Sequence, residues 1–173
     1  IELHQNLKEL YSGKIGEAIT SVDIVDTENL IGRCVVSGNV RRSAALAMGA
    51  HDDIQYLEMK NDQEKLYHHR WGSNNSFNAL VGMDYTWHAN QSQKNGEPGY
   101  IWFDDINVAG FNPCVEQQLE DAELCCLVET FPAKHDDLDD YLKTLKIAYL
   151  YGKTITLSNT HWPETNAKML KNR

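Results

Sequence analysis

The stretch GFNPCVEQQLEDAELCCL, residues 110–127, holds three of the four cysteines of the chain. Cys114 lies between an amide and a carboxylate, since Asn112 and Glu116 are each two residues away. Cys125 and Cys126 follow within residues 123–131, ELCCLVETF, which are rich in apolar residues and predict a strand. The grouping of a thiol with an amide and a carboxylate makes Cys114 the first candidate for chemistry.

Around this stretch, predicted strands alternate with predicted helices. Helices are expected at 21–37, from Asp52 or Asp53 onward, at 136–153 and from Pro163 onward. Strands are expected at 43–48, 71–81, 99–105, 123–131 and 154–158, and a polar loop at 61–71. This alternation predicts the α/β class, although the pattern alone leaves open whether the sheet is an open one or part of a barrel.

Composition narrows the class of function. The chain has 173 residues, 42% of them hydrophobic and 24% charged, with a formal net charge of −9. Because a nucleic-acid binder needs a basic face, we expect no nucleic-acid partner. No apolar run approaches the roughly 20 residues that span a bilayer, and residues 1–10 lack a signal-peptide pattern, so we expect no membrane partner and a cytoplasmic location. Cysteines in that compartment are reduced thiols rather than a disulfide framework. The start at Ile1 and the helical pattern at the other end suggest a piece of a longer protein.

The cysteines allow several interpretations. Cys34 lies on a predicted apolar helix face and Cys126 in a predicted strand, where a buried, inert thiol is the expected reading. A zinc site drawn from Cys114, Cys125, Cys126 and His135 is disfavoured because the sequence has no C-x-x-C hairpin. A cysteine hydrolase needs a nearby histidine, and the spacing of the seven histidines does not indicate one.

The remaining hypothesis is radical or redox chemistry at Cys114. A neighbouring carboxylate disfavours a nucleophilic thiolate, but it is useful if the thiol transfers a hydrogen atom while Glu116 accepts a proton from a substrate hydroxyl. The amide of Asn112 can hold a second substrate group, and a further thiol at Cys125 can supply electrons and end in a disulfide. These four residues together fit that reaction type.

The sequence resembles ribonucleotide reductases in five ordered blocks. NPCVEQ with ELCCLVETF resembles their active-site finger loop and next strand. The other blocks, GNVRRSAALAMG, KNDQEKLYHHRWGSNNS, GEPGYIW and YGKTITLSNTHWPETNAKMLKNR, are most similar to the adenosylcobalamin-dependent ribonucleoside-triphosphate reductases of class II. The resemblance implies part of a ten-stranded α/β barrel of two half-barrels, with the active-site cysteine on a central finger loop.

The resemblance also implies roles for single residues. Cys114 matches the cysteine that becomes a thiyl radical and abstracts the ribose 3′-hydrogen, and Glu116 matches the base at the 3′-hydroxyl. Asn112 matches the residue that binds the ribose hydroxyls, and Cys125 matches one of two cysteines that reduce the 2′ position. Cys126 has no matching role.

Further residues are implied to bind nucleotides. The block GNVRRSA resembles the loop between the effector site and the substrate base, which makes Arg41 and Arg42 candidates for a nucleotide contact, against the alternative of a solvated surface pair. Ser73 and Asn74, with His68 and His69 before them, are candidates for a substrate contact, against ordinary polar packing. The implied cofactor is adenosylcobalamin. The implied partners are a ribonucleoside triphosphate substrate, a deoxynucleoside triphosphate effector and a thioredoxin-type reductant.

The chain departs from the family pattern in specific places. The family usually has glycine where this chain has Val115, and a β-branched residue there is strained if the position needs a positive φ. Only residues 106–111 separate the third predicted strand from the loop, whereas the family has a longer tract. The second reducing cysteine, the C-terminal cysteine pair and most cobalamin-binding elements have no match. We therefore expect residues 1–173 to form a single partial catalytic domain. A catalytically inactive nucleotide-binding remnant and a reductase of another radical-generating class remain alternatives.

Overall fold

A computed structural model describes residues 1–40, 42–102 and 110–172 of the chain. These residues fall into two units. The first unit holds 1–40, 42–102 and 113–116, and the second holds 110–112 and 117–172. That the whole chain forms one partial catalytic domain stays a prediction. Among the described residues, no helix has both the length and the apolar character needed to cross a membrane.

The first unit contains helices around a small sheet. Its elements are α1 (Glu2–Tyr11), α2 (Ser21–Val36), β1 (Ala45–Gly49), α3 (Ile54–Glu58), α4 (Gln63–His68), β2 (Ser73–Asn78), α5 (Thr86–Asn95) and β3 (Gly99–Ile101), with short 3-10 turns at Met59–Asn61 and Arg70–Gly72.

The sheet of the first unit is parallel throughout, in the order β1-β2-β3. Ala45 pairs with Ser73 at one end of the first ladder, and Ser76 pairs with Gly99 at the start of the second. Helices α3 and α4 connect the first pair of strands, and α5 connects the second pair, as parallel pairing requires. The predicted α/β class is confirmed, and so are strands within the predicted ranges 43–48, 71–81 and 99–105, of which 103–105 lie outside the described residues.

Tyr56 is the centre of the core of this unit. Its ring is 1% exposed and packs with Phe77 and other buried apolar residues of α2, α3 and β2. Its hydroxyl lies 2.7 Å from the carbonyl oxygen of Ala47 and 2.9 Å from that of Ser76, so it joins β1 to β2. A Cβ at Gly49 would lie 2.2 Å from the Tyr56 ring, which means that only glycine fits at the end of β1.

Helix α2 begins with a capping box formed by Thr20 and Asp23. The Thr20 side chain accepts a hydrogen bond from the Asp23 backbone N–H, and the Asp23 side chain accepts one from the backbone of Thr20. The predicted apolar face is wrong, because Ile24, Ile31, Cys34 and Val35 are exposed. The face that is buried holds Asp23, Val25, Asp26, Asn29, Leu30 and Gly32.

The loop predicted at 61–71 is also wrong, because this segment is mostly helical. Asp62 caps α4 by accepting a hydrogen bond from the Lys65 backbone N–H, so a polar composition is compatible with a short helix here. Asp62 is a favourable N-cap residue, but the segment that follows is too short and too polar to show the apolar periodicity of a helix.

The second unit contains β4 (Gly110–Phe111), β5 (Gln118–Leu119), α6 (Leu138–Ile155) and α7 (Pro163–Asn172). Asp137 caps α6, and Pro163 occupies the first position of α7 as predicted. The strand predicted at 154–158 is wrong, because α6 continues through Ile155 and the Thr154 hydroxyl bonds back to the Leu150 carbonyl. The strand predicted at 123–131 is wrong as well: these residues pair with no strand in the described part of the chain, and a strand needs such a partner.

Candidate active site

A two-stranded hairpin carries the candidate loop. In the second unit β4 pairs antiparallel with β5, with Gly110 opposite Leu119 and Phe111 opposite Gln118. Beyond the strands, the Asn112 backbone N–H donates to the Gln117 carbonyl at 3.2 Å, and the Gln117 N–H donates to the Asn112 side-chain oxygen at 3.0 Å. These two bonds close the base of the loop.

Asn112 and Cys125 lie together at the base of the loop. Asn112 is only 3% exposed, and its Nδ2 lies 3.5 Å from the Sγ of Cys125. Because the amide oxygen already accepts from Gln117, the amide is oriented with its N–H groups toward the sulfur. Two of the residues predicted to be catalytic are therefore in contact, although they are 13 residues apart in sequence.

The tip of the loop, Pro113–Glu116, belongs to the first unit. Cys114 and Glu116 are both exposed there. The Asn74 Nδ2 of strand β2 donates to the carbonyl oxygen of Pro113 at 2.8 Å and lies 4.0 Å from the Cys114 Sγ. The tip thus rests on the middle strand of the parallel sheet.

Val115 has a positive φ of 70° at the tip. A β-branched residue seldom adopts this left-handed conformation, because its Cβ crowds the following carbonyl oxygen. The loop therefore keeps the backbone conformation that glycine favours, although it carries valine, and the tip is strained.

The residues predicted to bind nucleotides differ in their burial and in their hydrogen-bond partners. Ser73 is 4% exposed, and its hydroxyl donates to the side-chain oxygen of Asn75 at 2.8 Å. Arg42 is exposed on the segment before β1, while Arg41 lies outside the described residues. The structure brings Asn74 to the loop tip, and it places Ser73 among buried polar groups.

Known proteins are similar to this chain over nearly its whole length. No family model matches the chain. It is 47% identical over 99% of its length to a probable adenosylcobalamin-dependent ribonucleoside-triphosphate reductase of Dictyostelium discoideum, and 44% identical over 100% to the corresponding reductase of Euglena gracilis. A crystal structure of a B12-dependent, class II ribonucleotide reductase matches 98% of the chain with a TM-score of 0.62 and 34% identity.

The chain is homologous to class II ribonucleotide reductases. It spans about a quarter of the length of the relatives it matches, 25% of the Dictyostelium protein and 26% of the Euglena protein. The resemblance to class II reductases inferred from the five sequence blocks is confirmed. The parallel sheet and its helices agree with a portion of the reductase barrel.

A buried ion pair, which the sequence analysis missed, supports this part of the barrel. Arg70 donates from Nε and Nη2 to the two carboxylate oxygens of Asp26, each at 2.7 Å, and both side chains are nearly fully buried. Burial by itself would raise the pKa of Asp26, but hydrogen bonds from Arg70 and His69 outweigh it and lower the pKa to about 2. The partners are 44 residues apart, so a single sequence does not reveal the pair.

A chain of hydrogen bonds continues from Asp26 to the surface. Asp26 accepts from Nε2 of His69 at 3.0 Å, the Nδ1 atoms of His69 and His68 are 3.0 Å apart, and Nε2 of His68 lies 2.5 Å from Arg33. Because an ionised carboxylate only accepts and a guanidinium only donates, the bonds run in one direction. His68 therefore carries its proton on Nδ1 and His69 carries its proton on Nε2. Burial and the charge of Arg33 lower the pKa of His68, which favours this neutral form.

Two cavities among the described residues are each smaller than a cobalamin molecule with its nucleotide tail. A cavity of about 430 Å³ in the second unit is lined by apolar residues such as Leu124, Leu145 and Met169, together with Cys126. That volume suits a drug-sized ligand, whereas a corrin with its nucleotide tail is much larger. A second cavity of about 850 Å³, in the first unit, is lined by charged side chains such as Glu58 and Lys65 together with apolar ones such as Leu30 and Met59.

The described ranges also contain no group of three or more histidine, cysteine, aspartate or glutamate side chains that could hold a metal ion.

Proposed function

We propose that this chain forms the portion of a class II ribonucleotide reductase that carries the active-site loop. The enzyme would convert ribonucleoside triphosphates to 2′-deoxyribonucleotides for DNA synthesis in the cytoplasm. The observation that carries the proposal is the contact between Asn112 and Cys125, two of the residues predicted to be catalytic, whose Nδ2 and Sγ atoms lie 3.5 Å apart. The proposal is supported by the names of the relatives, which are reductases of this kind.

Cys114 and Glu116 act at the 3′ position of the ribose in this proposal. The thiyl radical of Cys114 takes the hydrogen atom from C3′, and Glu116 accepts the proton of the 3′-hydroxyl. After reduction the thiol returns a hydrogen atom to C3′, so Cys114 ends each turnover as it began. The exposure of both side chains is what such a role needs.

Asn112 and Cys125 act at the 2′ position. The Nδ2 of Asn112 has two hydrogens, so that one faces the sulfur of Cys125 and the other is left for a ribose hydroxyl. The 2′-hydroxyl leaves as water, and two electrons come from Cys125 and a second thiol, which join in a disulfide. The second thiol and the cysteine pair that passes electrons on from a thioredoxin-type reductant would come from sequence outside these 173 residues.

Adenosylcobalamin, the cofactor named in the relatives, would supply the radical in the complete enzyme. The two cavities among the described residues are smaller than this cofactor, so it would be held elsewhere in a longer protein. A deoxynucleoside triphosphate effector would act through the block GNVRRSA, where Arg41 and Arg42 are the candidate contacts. Arg42 is exposed and so is accessible to a ligand.

The test is turnover by the complete protein that carries this sequence, supplied with adenosylcobalamin, a dithiol and a ribonucleoside triphosphate. Cys114→Ser should abolish deoxyribonucleotide formation and leave nucleotide binding intact, because the hydroxyl does not support the radical step. Cys126→Ser is the matched control on the other thiol of the CC pair and should keep most of the activity. Turnover by the Cys114→Ser protein would refute the assignment.

A further inference from the structure

The amide of Asn74 makes two contacts with the tip of the candidate loop. Its Nδ2 donates to the carbonyl oxygen of Pro113 at 2.8 Å and lies 4.0 Å from the Sγ of Cys114. The first contact orients the amide, since a side-chain oxygen would repel the carbonyl oxygen at that distance. An NH₂ group has two hydrogens, so one is left to point toward the sulfur.

The backbone around these contacts explains why the loop needs such an anchor. Pro113 has no backbone N–H to bond, and Val115, two residues further on, sits at φ 70°. A strained conformation persists only where the surroundings determine it. Asn74 belongs to β2, the middle strand of the parallel sheet, with a ladder on each side. It is therefore held by the most firmly paired strand of the unit.

We infer that Asn74 is the positioning residue for Cys114: its amide fixes the loop tip through Pro113 and faces the thiol with the remaining N–H. This inference rests on the proposed function for its biological meaning, since the thiol it positions is the one proposed to react. It assigns Asn74 to the loop rather than to the nucleotide contact that the sequence analysis considered for it.

Alkylation of Cys114 by iodoacetamide tests the inference without nucleotide, cofactor or reductant. Digestion after glutamate separates the reporter peptides, because Glu116 and Glu123 lie between Cys114 and the pair Cys125 and Cys126. Cys34, which is exposed on α2, serves as an internal reference in every sample. Rates are measured by mass spectrometry from about pH 7 to pH 10, a range that brackets the ordinary titration of a thiol.

Asn74→Asp and Asn74→Ala are the informative variants. A carboxylate about 4 Å from the sulfur disfavours the reactive thiolate, so Asn74→Asp should slow alkylation of Cys114 near pH 7 by about three- to fivefold. Asn74→Ala removes the N–H without adding charge and should slow it less. The part of each difference that comes from the contact with the sulfur should shrink toward pH 10, above the ordinary pKa range of thiols, and the part that comes from a displaced loop tip should remain.

Asn78→Asp is the matched control, since it puts the same charge on the same strand. Asn78 lies four residues beyond Asn74, about 13 Å along the strand, which exceeds the Debye length at 0.1 M salt. The inference is overturned if Asn74→Asp or Asn74→Ala leaves the Cys114 rate unchanged. It is also overturned if Asn78→Asp slows that rate equally. Because no turnover is measured, failure here is distinct from failure of the proposed reductase activity.

Discussion

Replacing Val115 by glycine and, separately, by alanine tests the backbone at the tip of the candidate loop. Both replacements remove the two γ-methyl groups of valine, so they lose the same packing beyond Cβ. They differ only in whether a Cβ is present at a residue with φ 70°. The sign of the difference in stability between the two variants therefore reports the conformation at this position.

The expected difference follows from two opposing free energies. A left-handed conformation costs a residue with a Cβ about 1–2 kcal/mol, and glycine avoids that cost. Glycine in turn loses more backbone entropy on folding, which disfavours it by about 0.4–1 kcal/mol relative to alanine. The balance should make Val115→Gly more stable than Val115→Ala by about 0.5–1 kcal/mol.

Urea unfolding of both variants measures this difference directly. With a slope of about 1–3 kcal/mol per molar urea, the midpoints should differ by a few tenths of a molar. Glu116, the next residue, provides the control because its φ is not positive. There the alanine variant should be the more stable one. If alanine is the more stable replacement at both positions, Val115 does not adopt the left-handed conformation and the argument for loop strain fails.

Two further predictions concern the core of the first unit. Because the pKa of Asp26 is lowered from 3.8 to about 2, the ion pair with Arg70 stabilises the fold above about pH 4, and about 2 kcal/mol is lost as the pH falls from there through 2. Urea unfolding across that range should show the loss, and Asp26→Asn should remove this pH dependence. If the asparagine variant keeps the same slope, another carboxylate is responsible. Gly49→Ala should lower the free energy of unfolding by about 1–3 kcal/mol, because its Cβ would overlap the buried Tyr56 ring. An unchanged unfolding midpoint would show that the ring has room to move.

Local signals in the sequence predicted the class of fold and several of its elements. Helix α7 begins at Pro163, and α6 begins after a run of aspartates, so both helices were placed within two residues of their starts. The α/β class followed from the alternation of predicted strands and helices. The errors occurred where tertiary partners decide the structure. The β-branched run at 154–158 lies at the end of α6, and the apolar run at 123–131 finds no partner strand among the described residues.

The buried face of helix α2 could not be predicted for the same reason. Its apolar residues predicted the wrong buried face, because Asp23 and Asp26 are buried instead, each beside a cation from elsewhere in the chain. From sequence alone, an aspartate is predicted to lie at the surface, because carboxylates are almost never fully buried unless they are paired. The loop residues were easier to find, because Asn112, Cys114 and Glu116 lie within five consecutive positions of the sequence. The contact of Asn112 with Cys125 and that of Asn74 with the loop depend on how the chain folds.

The hydrogen-bonded chain from Arg33 through His68 and His69 to Asp26 provides a spectroscopic probe of the first unit. Only one proton lies between His69 and the buried Asp26 carboxylate, and it is held in a site 7% exposed or less. A nitrogen-bound proton in such a bond exchanges with water slowly, and it resonates far downfield of the amide region in a proton spectrum. That single resonance would report on the integrity of the unit without any label. It would disappear when helix α2 separates from the 3-10 turn at Arg70–Gly72, because the bond between His69 and Asp26 would then be broken.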